Sequence, residues 1–256
     1  MLTFTQAQLW TGIATILWPF ARIAGCLMVA PGFGAMFVPR RTRVVAAFAL
    51  SLLVAPFVTV PTAIEPLSTA GLLALVTEVL IGIAGGFLLQ LVFDAVGLAG
   101  QLLANAMGLS FAFNVDPARG ASTPAVGQLY LVFVTLTFLA LDGHIAIVRA
   151  LVGTFATLPI ASASGLAVVS RTVVAAGGWL IVDALRIALP GLTALLCANF
   201  AFGFVSRAAP ALNVVSVGLP LALLFGILVL QFALAGVQGG FVTAFGVALQ
   251  SVGGLR

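Results

Sequence analysis

The sequence predicts an all-α, polytopic helical membrane protein with kinked, glycine-rich helices, and three observations carry that expectation. Hydrophobic residues make up 62% of the chain and charged residues 6%, against roughly 25% charged residues in a soluble domain. The apolar residues gather into runs that approach or exceed the roughly 20 residues a membrane-crossing helix needs. Between the runs stand prolines, glycines and arginines, which end helices, bend them or orient them across the bilayer.

The runs cover about 9–36, 44–60, 72–93, 126–141, 172–204 and 214–235. A seventh apolar stretch, 145–160, is interrupted by Arg149 and is re-entrant or interfacial. Six or more crossings are thus expected, forming one helical domain over residues 1–256, since no linker separates a second domain and no internal repeat is visible. In the first run, Pro31-Gly32-Phe33-Gly34 ends or bends the helix, because proline removes a donor and glycine loosens the backbone. The densest basic cluster follows, Pro39-Arg40-Arg41-Thr42-Arg43. The positive-inside rule makes it cytoplasmic, sets the N-terminus outside and makes 60–66 an external turn. No positive charge precedes Trp10, so no cleavable signal peptide is expected.

Gly82 with Gly86, and Gly236 with Gly240, have the small-xxx-small spacing that lets helix backbones approach in lipid. Pro190 and Pro220 predict kinks. The segment 100–124 breaks the apolar pattern with glycines, small polar residues, two phenylalanines and Asp116-Pro117. Irregular backbone at membrane depth is tolerated only where protein covers it or where it lines a watery cavity. Within it, Met107, Leu109, Phe111 and Phe113 alternate with Gly108, Ser110 and Ala112, and Asp116, Pro117 and Gly120 supply turn chemistry. A loop carrying such bulky apolar residues has little reason to lie in water, and burial among helices lets it fill a pore.

Catalytic sets are missing. His144 is the only histidine, which excludes His-rich metal sites, and no nucleophile elbow, phosphate loop or dinucleotide fingerprint is present. No cofactor, no metal and no enzymatic activity are expected. Cys26 and Cys197 lack paired spacing and read as small buried hydrophobes. All ten basic residues are scattered arginines without interleaved aromatics, so nucleic acid is not an expected partner. Arg22 and Glu78 lie inside apolar runs, where ionisable groups are costly; each snorkels to an interface or anchors a neighbouring helix. Asp183 and Arg186, three residues apart on one helical face, can neutralise each other.

Four blocks of residues resemble the FliR-like family of type III export-gate proteins. They are Arg22-Ile-Ala-Gly25 through Ala30-Pro-Gly-Phe-Gly34 to Val38-Pro-Arg-Arg41; Glu78-Val-Leu-Ile-Gly82 with Gly86-Phe87; Ala99-Gly-Gln101, Met107-Gly-Leu-Ser-Phe-Ala112, Asp116-Pro117 and Gly143-His144; and Ala209-Pro210, Asn213, Val217-Gly-Leu-Pro220 and Gly226. The family often has Gln where Ala106 stands and Lys near Ala222. The resemblance implies a subunit of the flagellar export gate in the bacterial inner membrane, at the basal body. Its implied partners are FliP- and FliQ-like subunits, an FlhB-like protein, unfolded flagellar export substrates and membrane lipid. It also implies a pore-plugging loop at about 107–124. A virulence-type secretion gate is the related alternative. A secondary transporter using Arg22, Glu78 and the broken segment as a midplane site is the alternative of a different class.

Overall fold

The computed structural model describes residues 6–34, 38–60, 64–109, 125–162, 165–208 and 214–254. Their long elements are seven α-helices: α1 Gln6–Val29, α2 Arg40–Val54, α3 Thr69–Ala106, α4 Ala125–Ala140, α5 Gly143–Thr157, α6 Gly165–Ala208 and α7 Val214–Gly253. A 3-10 turn, Ala55–Phe57, follows α2, and no strand occurs among the described residues.

The first helix stops earlier than the apolar run that encodes it. Gly32 takes φ 80° just past its end, a conformation glycine adopts without strain. Proline at 56, which has no N–H to donate and crowds the residue before it, closes α2 after 15 residues. At 1.5 Å per residue α2 is about 22 Å long, short of the ~30 Å hydrocarbon core. The expectation of six or more crossings is corrected accordingly. Four stretches, Trp10–Val29, Thr69–Ala106, Gly165–Val205 and Pro220–Gly253, are long and apolar enough to cross. The α4–α5 pair, bent by 69°, adds a fifth if it is one broken span. Asp142, with φ 52°, makes that bend, and its carbonyl accepts the Ile145 and Ala146 N–H groups at 2.9 and 3.1 Å.

Three helices outrun their hydropathy signal. α3, α6 and α7 have 38, 44 and 40 residues, each about twice the length that crosses the hydrocarbon core. The segment from Gly100 to Ala106, read as the start of the irregular stretch, is helical. Its small residues serve helix packing: a Cβ on Gly100 would lie 2.7 Å from the Gly127 Cα on α4. α6 and α7 likewise continue through Pro190 and Pro220, each proline removing one backbone hydrogen bond and not the helix.

The chain divides into two compact units. The first comprises Met1–Leu91, Asp142–Gly177 and Gly246–Arg256, and the second Val92–Leu141 and Gly178–Phe245. In the first, Ile81, Ala84, Leu158 and Val169 form a buried cluster with Val168 and Val173 against it. In the second, Phe93 meets Phe138 and Phe241 edge-on at 5.5 and 5.3 Å, and Phe245 stacks on Phe241, joining α3, α4 and α7. Such pairs add about 0.5–1.5 kcal/mol beyond area burial. Cys26 is buried as expected, whereas Cys197 is exposed on α6, beside the outward-facing Leu196.

Candidate functional site

Two clusters gather the singled-out residues, one in each unit. The first depends on how closely α1 approaches α3. A Cβ on Gly82 would collide with the Arg22 carbonyl oxygen, one on Gly86 would lie 2.6 Å from the Cys26 carbonyl oxygen, and one on Gly25 would lie 2.5 Å from that of Val79. Backbones this close bring Arg22 and Glu78 together although 56 residues separate them.

Arg22 donates from Nε to Glu78 Oε2 at 2.6 Å, and both side chains are 0% exposed. Nη1 donates to Thr154 Oγ1 at 3.0 Å and Nη2 to the Leu158 carbonyl at 2.9 Å, while the guanidinium lies 4.2 Å from the Phe155 ring centroid. Leu158 caps the C-terminus of α5, where a carbonyl lacks a helical partner and a cation is favoured. Glu78 uses its second oxygen, Oε1, to accept the Ala161 N–H at 3.4 Å. Ala161 has φ 61° in a turn closed by the Ser162 N–H on the Pro159 carbonyl at 3.1 Å. A non-glycine residue there is strained by about 1–3 kcal/mol and persists only when its surroundings hold it.

The pair therefore fastens α1, α3, α5 and the turn after α5. Chemically it is closed on itself. The cation has an anion and two oxygens, and no group of three or more metal-ligating side chains occurs among the described residues. Asp183 and Arg186 come together separately, at 3.7 Å, with Arg186 largely exposed. Gly240 meets the Ile187 side chain, its Cβ position 2.7 Å from Cγ1, but Gly236 opens onto free space. Gly236 thus makes no close approach among the described residues, because its side of α7 carries no neighbour.

The second cluster ends α3 at the base of the 110–124 segment. Gly108 takes φ 79°, its N–H bonds to the Asn105 carbonyl at 3.0 Å, and the Leu109 N–H reaches the Ala104 carbonyl at 3.0 Å. This is a Schellman cap, in which glycine turns the chain out of the helix while satisfying its last carbonyls. A further carbonyl, of Ala106, accepts from Asn199 Nδ2 at 3.0 Å. Met107 is 2% exposed and is seated on α7, where a Cβ on Gly226 would lie 2.5 Å from its Cε. Leu109 is half-buried. Ser110, Phe111, Ala112, Phe113, Asp116, Pro117 and Gly120 lie outside the described residues. Asn199 was not singled out from the sequence, although an amide on an apolar helix is a visible signal.

A family model described as bacterial export proteins, family 1, matches residues 13–247. The chain is similar to the flagellar biosynthetic protein FliR of Pectobacterium carotovorum subsp. carotovorum, 34% identical over 235 residues, covering 91% of this chain and 89% of the relative. It is similar to FliR of Escherichia coli (strain K12), 35% identical over 228 residues, with 89% and 87% covered. FliR of Aquifex aeolicus (strain VF5) is 29% identical over 222 residues, with 87% and 86% covered.

Proposed function

The chain belongs to the bacterial export proteins, family 1, and from that membership we propose that it works as a membrane subunit of the flagellar type III protein export gate. The observation that carries this reading is the length of the likeness: the family match runs through both compact units, from residue 13 to 247, and the similar proteins are FliR proteins over nearly their whole length. The protein is membrane-embedded and flagellar; we assign it to the bacterial inner membrane at the basal body. Its role is structural, as part of a conduit for unfolded flagellar subunits, in one helical assembly with FliP- and FliQ-like subunits and an FlhB-like protein.

Within that gate, residues 107–124 supply a plug. Two features at the base of the segment support this reading: the Schellman cap at Gly108 and the seating of Met107 against Gly226 fix where the segment leaves α3. The obstructing residues are then Leu109, Phe111 and Phe113, with Met107 as their anchor. Opening needs only a two-state balance moved by a few kcal/mol, which passing substrates or partner subunits can supply.

Deletion of residues 110–119 tests the plug. The shortened protein is expected to assemble normally and to make the membrane leaky to small ions. An assembled deletion with unchanged conductance contradicts it. The transporter alternative draws less support, because Arg22 and Glu78 engage each other, the Thr154 hydroxyl and the backbone of one unit.

A further inference from the structure

Helix α2 carries a surface that the gate reading does not use. Three arginines stand in its first four residues and no acidic residue shares its first turn. Arg43 is occupied, donating to the Val38 carbonyl from Nε at 3.2 Å and from Nη2 at 3.0 Å. Arg40 and Arg41 are exposed, and no ion pair or side-chain hydrogen bond holds either of them among the described residues. Cations in the first turn of a helix also oppose its dipole. These two side chains therefore have no partner among the described residues, and an anion brought from outside would offset the unfavourable interaction with the dipole.

The rest of the helix says what that anion is attached to. Ala47, Ser51 and Val54 are buried on one side; Val45, Phe48 and Leu52 are exposed together on another, with Val44 between the two sides and Leu53 away from both, and the Phe48 ring also meets Phe20 of α1 edge-on at 6.4 Å. Residues four apart share a helical face. Arg41 thus stands above Val45, Phe48 and Leu52, and Arg40 above Val44 at the edge of the buried side, so charge and apolar stripe share a face. From Val44 to Leu52 the stripe is about 12 Å long, within the ~15 Å of one hydrocarbon leaflet. A helix too short to span, with cations at one end and an apolar stripe below them that fits within a leaflet, suits an anionic lipid: an acidic headgroup above, acyl chains alongside.

We propose that the outer face of α2 is a binding site for an anionic phospholipid, with Arg40 and Arg41 holding the headgroup phosphate and Val44, Val45, Phe48 and Leu52 lining the acyl chains. The proposal is independent of the plug and needs only that the chain sits in a membrane.

Native mass spectrometry of the full chain released from detergent micelles, titrated with phosphatidylglycerol or phosphatidylcholine, measures it directly. Phosphatidylglycerol is expected to be retained in preference. Each arginine near an anionic surface contributes about 1 kcal/mol, so R40Q/R41Q should weaken that retention roughly thirtyfold. R171Q, which removes an exposed charge from α6 instead, should leave it unchanged. R40E alone should lower the preference by more than half of the double effect. Glycerol phosphate without acyl chains should bind neither form. Equal retention of the two lipids, or a preference that survives R40Q/R41Q, overturns the proposal. So does a photo-cross-linker at Val45 that captures an acidic segment of another protein, and no lipid, in the assembled complex.

Discussion

Arg22 divides its donors among a carboxylate, a hydroxyl and a helix-terminal carbonyl, and this division decides what each substitution costs. Removing one member of a buried pair leaves an uncompensated charge and costs about 3–5 kcal/mol. Glu78→Ala should therefore sharply lower the thermal midpoint of the purified chain. Replacing both members together, Arg22→Met with Glu78→Leu, should recover most of that loss, because no buried charge then remains. Arg22→Lys should behave as a loss, since an ammonium cannot reproduce the planar fork that reaches Glu78, Thr154 and Leu158 at once. A smaller effect of opposite sign is expected at Ala161. Glycine takes φ 61° without strain, so Ala161→Gly should stabilise the chain by about 1 kcal/mol, net of glycine's extra freedom in the unfolded chain, and raise the midpoint.

At the scale of elements, glycine position separates contact from helix propensity. Gly82→Ala drives a methyl into the Arg22 carbonyl, and backbone cannot step aside as a side chain can. It should cost at least the 1–3 kcal/mol of ordinary overpacking and separate α1 from α3. Gly236→Ala meets nothing within 4 Å and should gain up to about 1 kcal/mol of helix propensity. Thermal melts of the two variants in the same detergent check both signs. The same contrast explains what the sequence could and could not convey. Apolar runs locate the helices because hydrophobic periodicity is local. Helix ends are harder to read, because Gly100, Gln101 and Asn105 have the composition of a loop, yet all three are helical and Gly100 packs against Gly127 on another element. The pairing of Arg22 with Glu78 is nonlocal as well: each residue is visible as a charge inside an apolar run, but their meeting depends on the approach allowed by Gly25, Gly82 and Gly86. Asn199 illustrates the remaining gap, since its partner is a backbone carbonyl at a helix end that hydropathy had set elsewhere.

At the scale of the whole molecule, helices of 38, 44 and 40 residues with many exposed leucines, valines and phenylalanines describe a chain built to be covered. Lipid and the other subunits of an assembly are the covers expected for such surface. That expectation and the family membership point to the same biochemical behaviour. The most direct measurement is native purification of the tagged chain from its own membranes, followed by determination of the composition of what comes with it. The account predicts a stable complex containing FliP- and FliQ-like subunits. A chain that purifies alone, and that drives solute uptake when reconstituted by itself in proteoliposomes, would contradict it.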